Sequence, residues 1–311
     1  MSLDLEFDDA GKAIADAIAQ FCRDRCADEV VKAAAHEFPF KLWRDLADLG
    51  VLALATPEGD GRALELCAAV EALGAALFPG PLVASFFATQ VLPPAERARV
   101  ARGEAIVSLG EPPLMPFAPA ASLFIEVRGD RAFLAEPRGP VEPVQTLGGE
   151  PWGRVDLACG ADLGDTARAH ALSDVARAAY LAAAARRLVD DASHHARTRR
   201  QFGRSIGEFQ AVAHPLADCA IGLSAASTLA RVAAFRFDAG DAEARAVAAA
   251  ARLSACAASL ASVYTCHQVF GAVGITLEGP AFHVSRRIRQ LASPPPSEET
   301  ARDAVLARYG L

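Results

Sequence analysis

Apolar residues recur at helical spacing through the first hundred residues of the chain. Between residues 10 and 35 they include Ile14, Ile18 and Phe21, a spacing that predicts one long helix. The same pattern predicts further helices over 40–52, 63–77 and 85–91. It stops at Pro93-Pro94, because proline cannot continue a helix. Residues 1–102 are therefore predicted to form an N-terminal α-helical domain.

The pattern changes after Gly103, where proline and glycine become frequent. Short β-like runs are predicted over 105–109, 123–127, 132–134 and 155–158. Residues 103–165 are thus predicted to form a small β domain. Helical spacing returns over 166–311, with segments at 174–196, 206–240, 242–271, 280–291 and 297–309. The predicted fold is mainly α with a small β domain and a C-terminal helical bundle.

Composition and charge exclude several classes of protein. Hydrophobic residues make up 52% of the chain and charged residues 22%, which is typical of a globular protein. The net charge of −7 argues against a nucleic-acid-binding protein, which normally carries a basic balance. The sequence predicts no membrane-spanning helix and no secretory signal. The seven cysteines include no C-x-x-C pair, so we expect reduced thiols in a cytoplasmic protein.

The run RRQFGRSIGEFQAVAH over 199–214 lies between two predicted helices and is rich in arginine. A helix that begins near Ser205 would offer free N–H groups to an anion, and an arginine beside it can bind a phosphate at two points. The run therefore predicts a pyrophosphate site. A polar turn with salt-bridged arginines explains the same residues without any ligand.

The run QVFGAVGITLE over 268–278 places glycines at the predicted end of a helix. Glycine lets a ligand or another backbone approach closely. Alone, this run also fits an ordinary turn between helices.

Together the two runs resemble the acyl-CoA dehydrogenase family. They follow R-x-x-F-G-x-x-I-x-x-F-Q and Q-x-x-G-x-x-G, and the stretch from Ala211 to Asp218 follows A-x-x-H-x-L-A-D. The resemblance covers the C-terminal bundle and the order of helices, β insert and helices.

This resemblance implies an FAD at a subunit interface and a glutamate that removes the α proton of an acyl-CoA thioester while a hydride leaves to the flavin. Arg199 would then bind the pyrophosphate of the neighbouring subunit's FAD. The same cofactor would be lined by Gln201, Phe202, Gly203, Ile206, Phe209 and Gln210. The adenosine half would lie by Gln268, Gly271 and Ala272, although Ala272 replaces the family's second glycine.

Two departures from the family pattern concern the flavin ring and the base. The family's T-E-P, G-S-D and W-[IV]-[ST] segments are reduced here to 108–112, and Trp152 is interpreted as a core residue. Ser173 stands at one family position of the catalytic glutamate, and the other, Y-E-G-T, is replaced by the run 293–299. Glu278 and Asp174 remain as candidate bases, neither at a family position.

These departures predict the smaller subunit of a heteromeric, α2β2-type acyl-CoA dehydrogenase. A longer paralogue would supply the base and the flavin-ring pocket, and an electron-transfer flavoprotein would be the electron acceptor. The resemblance is to enzymes of actinobacterial steroid side-chain degradation, a branch of lipid catabolism. One alternative is a self-sufficient homo-oligomer with an atypical base such as Glu278, and another is a scaffolding subunit without flavin.

Overall fold

The computed structural model describes residues 6–34, 37–146, 148–293 and 298–310. The helices of the N-terminal part are α1 (Asp9–Arg25), α2 (Asp28–Ala33), α3 (Phe40–Asp48), α4 (Ala63–Ala75), α5 (Leu82–Val91) and α6 (Pro94–Ala101). The long helix predicted from residue 10 is interrupted at Cys26, which ends α1. The helix α6 was not predicted, because Pro94 was interpreted only as a stop. Proline is tolerated at the first position of a helix, where its missing N–H has no intrahelical partner.

The middle part contains two small sheets. Its strands are β1 (Val107–Gly110), β2 (Leu114–Pro116), β3 (Leu123–Arg128), β4 (Arg131–Pro137), β5 (Glu142–Val144), β6 (Trp152–Arg154) and β7 (Leu157–Asp165). The strand orders are β1-β3-β4-β7 and β2-β6-β5. β1 and β3 are parallel, and the other pairs are antiparallel. A turn at Gly129 joins β3 to β4, and Gly129 has a positive φ of 61°.

The C-terminal part is a bundle of long helices with a short hairpin. Its elements are α7 (Ala167–Thr198), β8 (Arg200–Gln201), β9 (Arg204–Ser205), α8 (Gln210–Asp238), α9 (Ala244–Phe270), α10 (Pro280–Ala292) and α11 (Glu298–Leu306). Residues 294–297, where the sequence predicts the start of the last helix, lie outside the described residues. The predicted fold class, mainly α with a small β domain and a C-terminal bundle, is confirmed.

Helix α7 is the axis of the bundle and packs against α4, α8, α9 and α10. Half of its buried positions are alanines, so neighbouring helices approach it closely. One close approach is at Gly74 of α4, where an added Cβ would lie 2.5 Å from the backbone oxygen of Tyr180. This crossing requires glycine because the neighbouring atoms belong to the backbone of α7.

The helix α8 and the run Ala244–Ile275 are long and apolar enough to cross a membrane by length and composition alone. In the structure both pack in the bundle, α8 and α9 against each other and against α7. Core helices of soluble bundles share these properties, so the feature is weak evidence for a span.

The seven cysteines are free thiols, five of them buried. Burial raises the pKa of Cys22 to about 12 and that of Cys26 to about 11. These side chains serve as small apolar groups of the core.

We expect Gly74→Ala to destabilise the chain by roughly 1–3 kcal/mol, because α4 must move away from α7. Gly222→Ala in α8 is the matched control, since its new Cβ would only make an ordinary 3.6 Å contact with Ala258. Alanine is the better helix former, so the control should be neutral or stabilising by up to about 1 kcal/mol. Urea unfolding measures both, and equal effects would contradict the proposed crossing.

Candidate functional site

The loop after α7 folds as a tight hairpin. Arg200 pairs with Ser205 and Gln201 with Arg204, while the two turn residues have positive φ angles of 52° (Phe202) and 80° (Gly203). Two successive positive φ angles characterise a type I′ turn. Phe202 is a bulky residue in this conformation and is 92% exposed. A strained, exposed aromatic side chain at a loop tip is typical of a contact surface.

Backbone hydrogen bonds close the loop onto the end of α7. The Arg199 N–H donates to the carbonyl of His195, and the Ile206 N–H donates to the carbonyl of Arg199, both at 2.8 Å. The predicted helix start at Ser205 is instead a single 3-10 turn over Ile206–Glu208, and α8 begins at Gln210. The free N–H groups expected at Ser205 are therefore displaced to the start of α8, which has no side-chain cap.

Glu208 stabilises this turn. The Ser205 N–H donates to its carboxylate at 3.0 Å. Hydrogen bonds from the backbone and the side chain of Ser205 hold the pKa of Glu208 below its usual value. The spacing S-x-x-E is the sequence signature of such a capping box, so this role was predictable but was not identified in the sequence. The carboxylate is thereby directed at the backbone of its own turn.

The loop carries a concentrated positive charge. Its exposed arginines are Arg197, Arg199, Arg200 and Arg204. Arg200 donates to the carbonyl of Gly203 at 3.0 Å, and the Arg204 guanidinium lies 4.1 Å above the ring of Phe209. Within the described part of the chain no ion pair involves any of these four arginines. The salt-bridged turn that was the alternative interpretation is therefore absent among the described residues.

The second predicted segment lies at the same end of the bundle. Gly271 follows the last residue of α9 with a positive φ of 61°. The ring centroids of His195, near the end of α7, and Phe270, at the end of α9, are 5.2 Å apart. This contact brings the two segments together. The predicted cofactor residues at this end are exposed or half-buried, and they are Arg199, Gln201, Phe202, Gly203, Ile206, Phe209, Gln210, Gln268, Gly271 and Ala272.

Glu278 lies at this end of the bundle as well. It is exposed and lines an open cleft of about 500 Å³ together with His194, His195 and Phe270. The cleft also borders α2 of the N-terminal part through Asp28 and Lys32.

Asp174 lies near the opposite end of α7. Twenty-five residues separate it from Arg199, about 38 Å along a helix at 1.5 Å per residue. Its carboxylate is buried and forms ion pairs with Arg245 at 2.6 Å and Arg252 at 3.6 Å. This geometry gives Asp174 a structural role in joining α7 to α9.

Ser173, at the position of a family glutamate, is also buried. Its hydroxyl donates to the carbonyl of His170 at 3.1 Å, within its own helix. Burial is the main reason that the pKa of His170 falls to about 4, so its ring is neutral at neutral pH. Neither side chain presents an ionised base at this end of the bundle.

The three parts of the chain meet at a small cavity of about 50 Å³. Glu150 of the middle part forms a buried ion pair with Arg287 of α10 and accepts a hydrogen bond from Gln290 at 2.7 Å. Arg287 also donates to the carbonyl of Phe78 in the N-terminal part. A cavity of this size holds one or two water molecules.

Comparison with known sequences identifies the family. The profile described as "Acyl-CoA dehydrogenase, C-terminal domain" matches residues 172–309, and that described as "Acyl-CoA dehydrogenase, N-terminal domain" matches residues 8–99. The chain is a member of the acyl-CoA dehydrogenase family.

Two curated relatives come from Mycobacterium tuberculosis. Acyl-CoA dehydrogenase FadE34 is 31% identical over 275 residues, which are 78% of this chain and 38% of FadE34. Acyl-CoA dehydrogenase IpdE2 is 29% identical over 255 residues, 76% of each chain. The chain thus spans well under half of FadE34 and about three quarters of IpdE2.

Several solved structures share the fold of this chain. The ChsE4-ChsE5 complex from Mycobacterium tuberculosis has a TM-score of 0.80 at 23% identity and covers 99% of this chain and 98% of its own. A Tcur3481-Tcur3483 steroid ACAD variant has a TM-score of 0.82 at 20% identity, and the match covers 96% of this chain and 97% of the matched chain. PigA with FAD and proline has a TM-score of 0.85 at 17% identity, and the match covers 99% of this chain and 100% of the PigA chain.

FAD is the cofactor that family membership supports, and the residues at the loop end of the bundle fit it. Exposed guanidinium groups and the uncapped start of α8 suit a diphosphate. The amides of Gln201, Gln210 and Gln268 are exposed and can exchange hydrogen bonds with a nucleoside.

We expect Asp174→Asn to destabilise the chain by roughly 3–5 kcal/mol, because it removes the buried carboxylate from its ion pairs. Asp190→Asn is the control on the same helix, since Asp190 pairs with Arg186 at the surface and should cost at most about 1 kcal/mol. Urea unfolding of both variants checks this. A catalytic base at Asp174 would instead give lost turnover at unchanged stability.

Proposed function

We propose that this chain is the smaller subunit of a heteromeric acyl-CoA dehydrogenase that desaturates an acyl-CoA thioester. The chain would bind the diphosphate and adenosine parts of an FAD whose flavin ring lies in a longer partner subunit. The partner would supply the catalytic glutamate. The observation that carries the proposal is the exposed arginine loop at one end of a bundle whose other end holds Asp174 in buried ion pairs and a buried Ser173 at the family glutamate position.

The exposure of the loop supports a site completed by another chain. Arg199 and its neighbours lie on the surface, and only Glu208 among the loop residues carries a negative charge. A cluster of guanidinium groups without carboxylate partners attracts an anion. Phe202 adds an exposed aromatic group that a partner surface or the cofactor would cover.

The junction of the three parts supports a catalytic centre in the partner. The cavity there is about 50 Å³ and is lined by the Glu150–Arg287 ion pair. An acyl chain requires far more room, since ligand sites are typically several hundred Å³. Bound FAD supplies the hydride acceptor of the reaction, and this chain would contribute to holding it.

The proposed substrate is a bulky CoA thioester, such as a steroid side-chain ester. This choice is supported by the likeness to a structure named as a steroid ACAD and to one named as the ChsE4-ChsE5 complex. An electron-transfer flavoprotein remains the proposed acceptor, and the cytoplasm the proposed location.

Co-expression with a longer acyl-CoA dehydrogenase paralogue tests the division of roles. We expect the lone chain to be colourless or insoluble and the complex to be yellow with about one FAD per pair of chains, measured by visible spectrum and native mass. A yellow, active lone chain would support the self-sufficient alternative. In that case Glu278→Gln should abolish turnover, because Glu278 is the candidate base at the loop end of the bundle.

Arg199→Ala tests the cofactor role directly. A charge-assisted hydrogen bond contributes roughly 1.5–3 kcal/mol, so FAD affinity should fall about tenfold to a hundredfold. The control is Arg186→Ala, an exposed arginine on the same helix that pairs with Asp190. Fluorescence titration of the apo-complex with FAD gives both affinities. Full FAD occupancy in Arg199→Ala would favour the scaffolding alternative.

A further inference from the structure

His195 joins the two segments that are proposed to bind the cofactor. It lies one helical turn before Arg199, and its ring meets that of Phe270, which directly precedes Gly271. The centroids are 5.2 Å apart at an interplanar angle of 52°. This separation is within the range of stabilising aromatic contacts. No motif in the sequence assigned a role to either ring.

The backbone of His195 fixes the start of the arginine loop. Its carbonyl accepts the hydrogen bond from the Arg199 N–H at 2.8 Å, and the Arg199 carbonyl accepts the one from Ile206. Any shift of His195 is therefore transmitted to both strands of the loop. The close packing of Gly207 against the backbone of Ala196, where an added Cβ would lie at 3.1 Å, holds the other side of the loop to the same turn of α7.

The backbone of Phe270 fixes the second segment. Its side chain is only 6% exposed, so its position is set by the bundle core. Gly271 continues from it with a positive φ and donates its N–H to the carbonyl of His267. The distance between the His195 and Phe270 rings thus sets the distance between the loop and the turn.

We propose that His195 is a positioning residue for FAD, which holds the Arg199 loop and the Gly271 turn at the separation needed to bind one cofactor molecule through its contact with Phe270. This inference rests on the proposed function, because it assumes that both segments bind the same FAD. The residue acts through Arg199 and Gly271 and need not touch the cofactor.

The environment of His195 indicates which replacements should preserve this role. Burial, followed by the nearby charges of Arg199 and His194, lowers the pKa of His195, so the ring is neutral at neutral pH. A neutral aromatic ring can pack on Phe270 without repelling Arg199. Phenylalanine should therefore replace histidine here, whereas alanine removes the contact.

The test is FAD affinity, measured by fluorescence titration of the apo-protein in the form that purifies, alone or in complex. His195→Ala should weaken FAD binding roughly twofold to tenfold, the range expected for an aromatic contact. His195→Phe should restore the wild-type affinity. His194→Ala is the matched control, since its ring is exposed and makes no ring contact with Phe270 in the described part of the chain, and it should leave the affinity unchanged.

A double-mutant cycle identifies the contact. If the His195–Phe270 pair carries the effect, His195→Ala combined with Phe270→Leu should lose no more FAD affinity than the more severe single variant. Additive losses would overturn the proposal, as would failure of His195→Phe to restore binding. A lower Tm for His195→Ala with unchanged FAD affinity would assign a purely structural role and would also overturn it.

Arg199→Ala measured in parallel separates this inference from the proposed function. Loss of affinity in Arg199→Ala with none in His195→Ala contradicts only the positioning role. Unchanged affinity in both variants contradicts the cofactor role of the loop itself.

Discussion

The packing of α7 is the constraint on which the rest of the structure depends. At 32 residues it is about 48 Å long, and it contacts every other long helix of the bundle as well as the N-terminal helices. Small alanine side chains permit this, because they let several helices approach one axis at once. Gly74 shows how little space remains, since even a methyl group would meet the backbone of Tyr180. The positions of both ends of the bundle follow from this one rigid element.

The two ends of α7 differ in charge and exposure. At one end, arginines project from a short hairpin and form no ion pairs among the described residues. At the other end, Asp174 is buried against Arg245 and Arg252. The buried pair is expensive to desolvate and is retained only with close geometry, so it fixes how α7 meets α9. The exposed arginines have no such constraint and are available to a ligand.

Hydrophobic spacing predicted most of the helices and four of the strands, β1, β3, β4 and β7, because each depends on contacts a few residues apart. It failed at Pro94, where one residue both ends a helix and begins another, and at Cys26, where nothing in the spacing marks a break. It also placed the helix start at Ser205, although the Ser205–Glu208 cap supports only a single turn. Local hydrogen bonds decide such boundaries, and hydrophobic periodicity does not describe them.

The candidate site was predictable where it consists of a continuous motif and not where it depends on distant contacts. The Arg199 loop is one such run, whereas the partners of His195 and Asp174 lie about seventy residues away in the chain. Their contacts arise only when α7 and α9 pack side by side. This packing also explains why a site in trans is physically reasonable. Arg199 is separated from Ser173 by almost the whole length of a rigid helix, a distance that no side chain spans. An anion bound by Arg199 is therefore remote from Ser173 and Asp174 at the opposite end of the same helix, which agrees with the proposed division of the site between two chains.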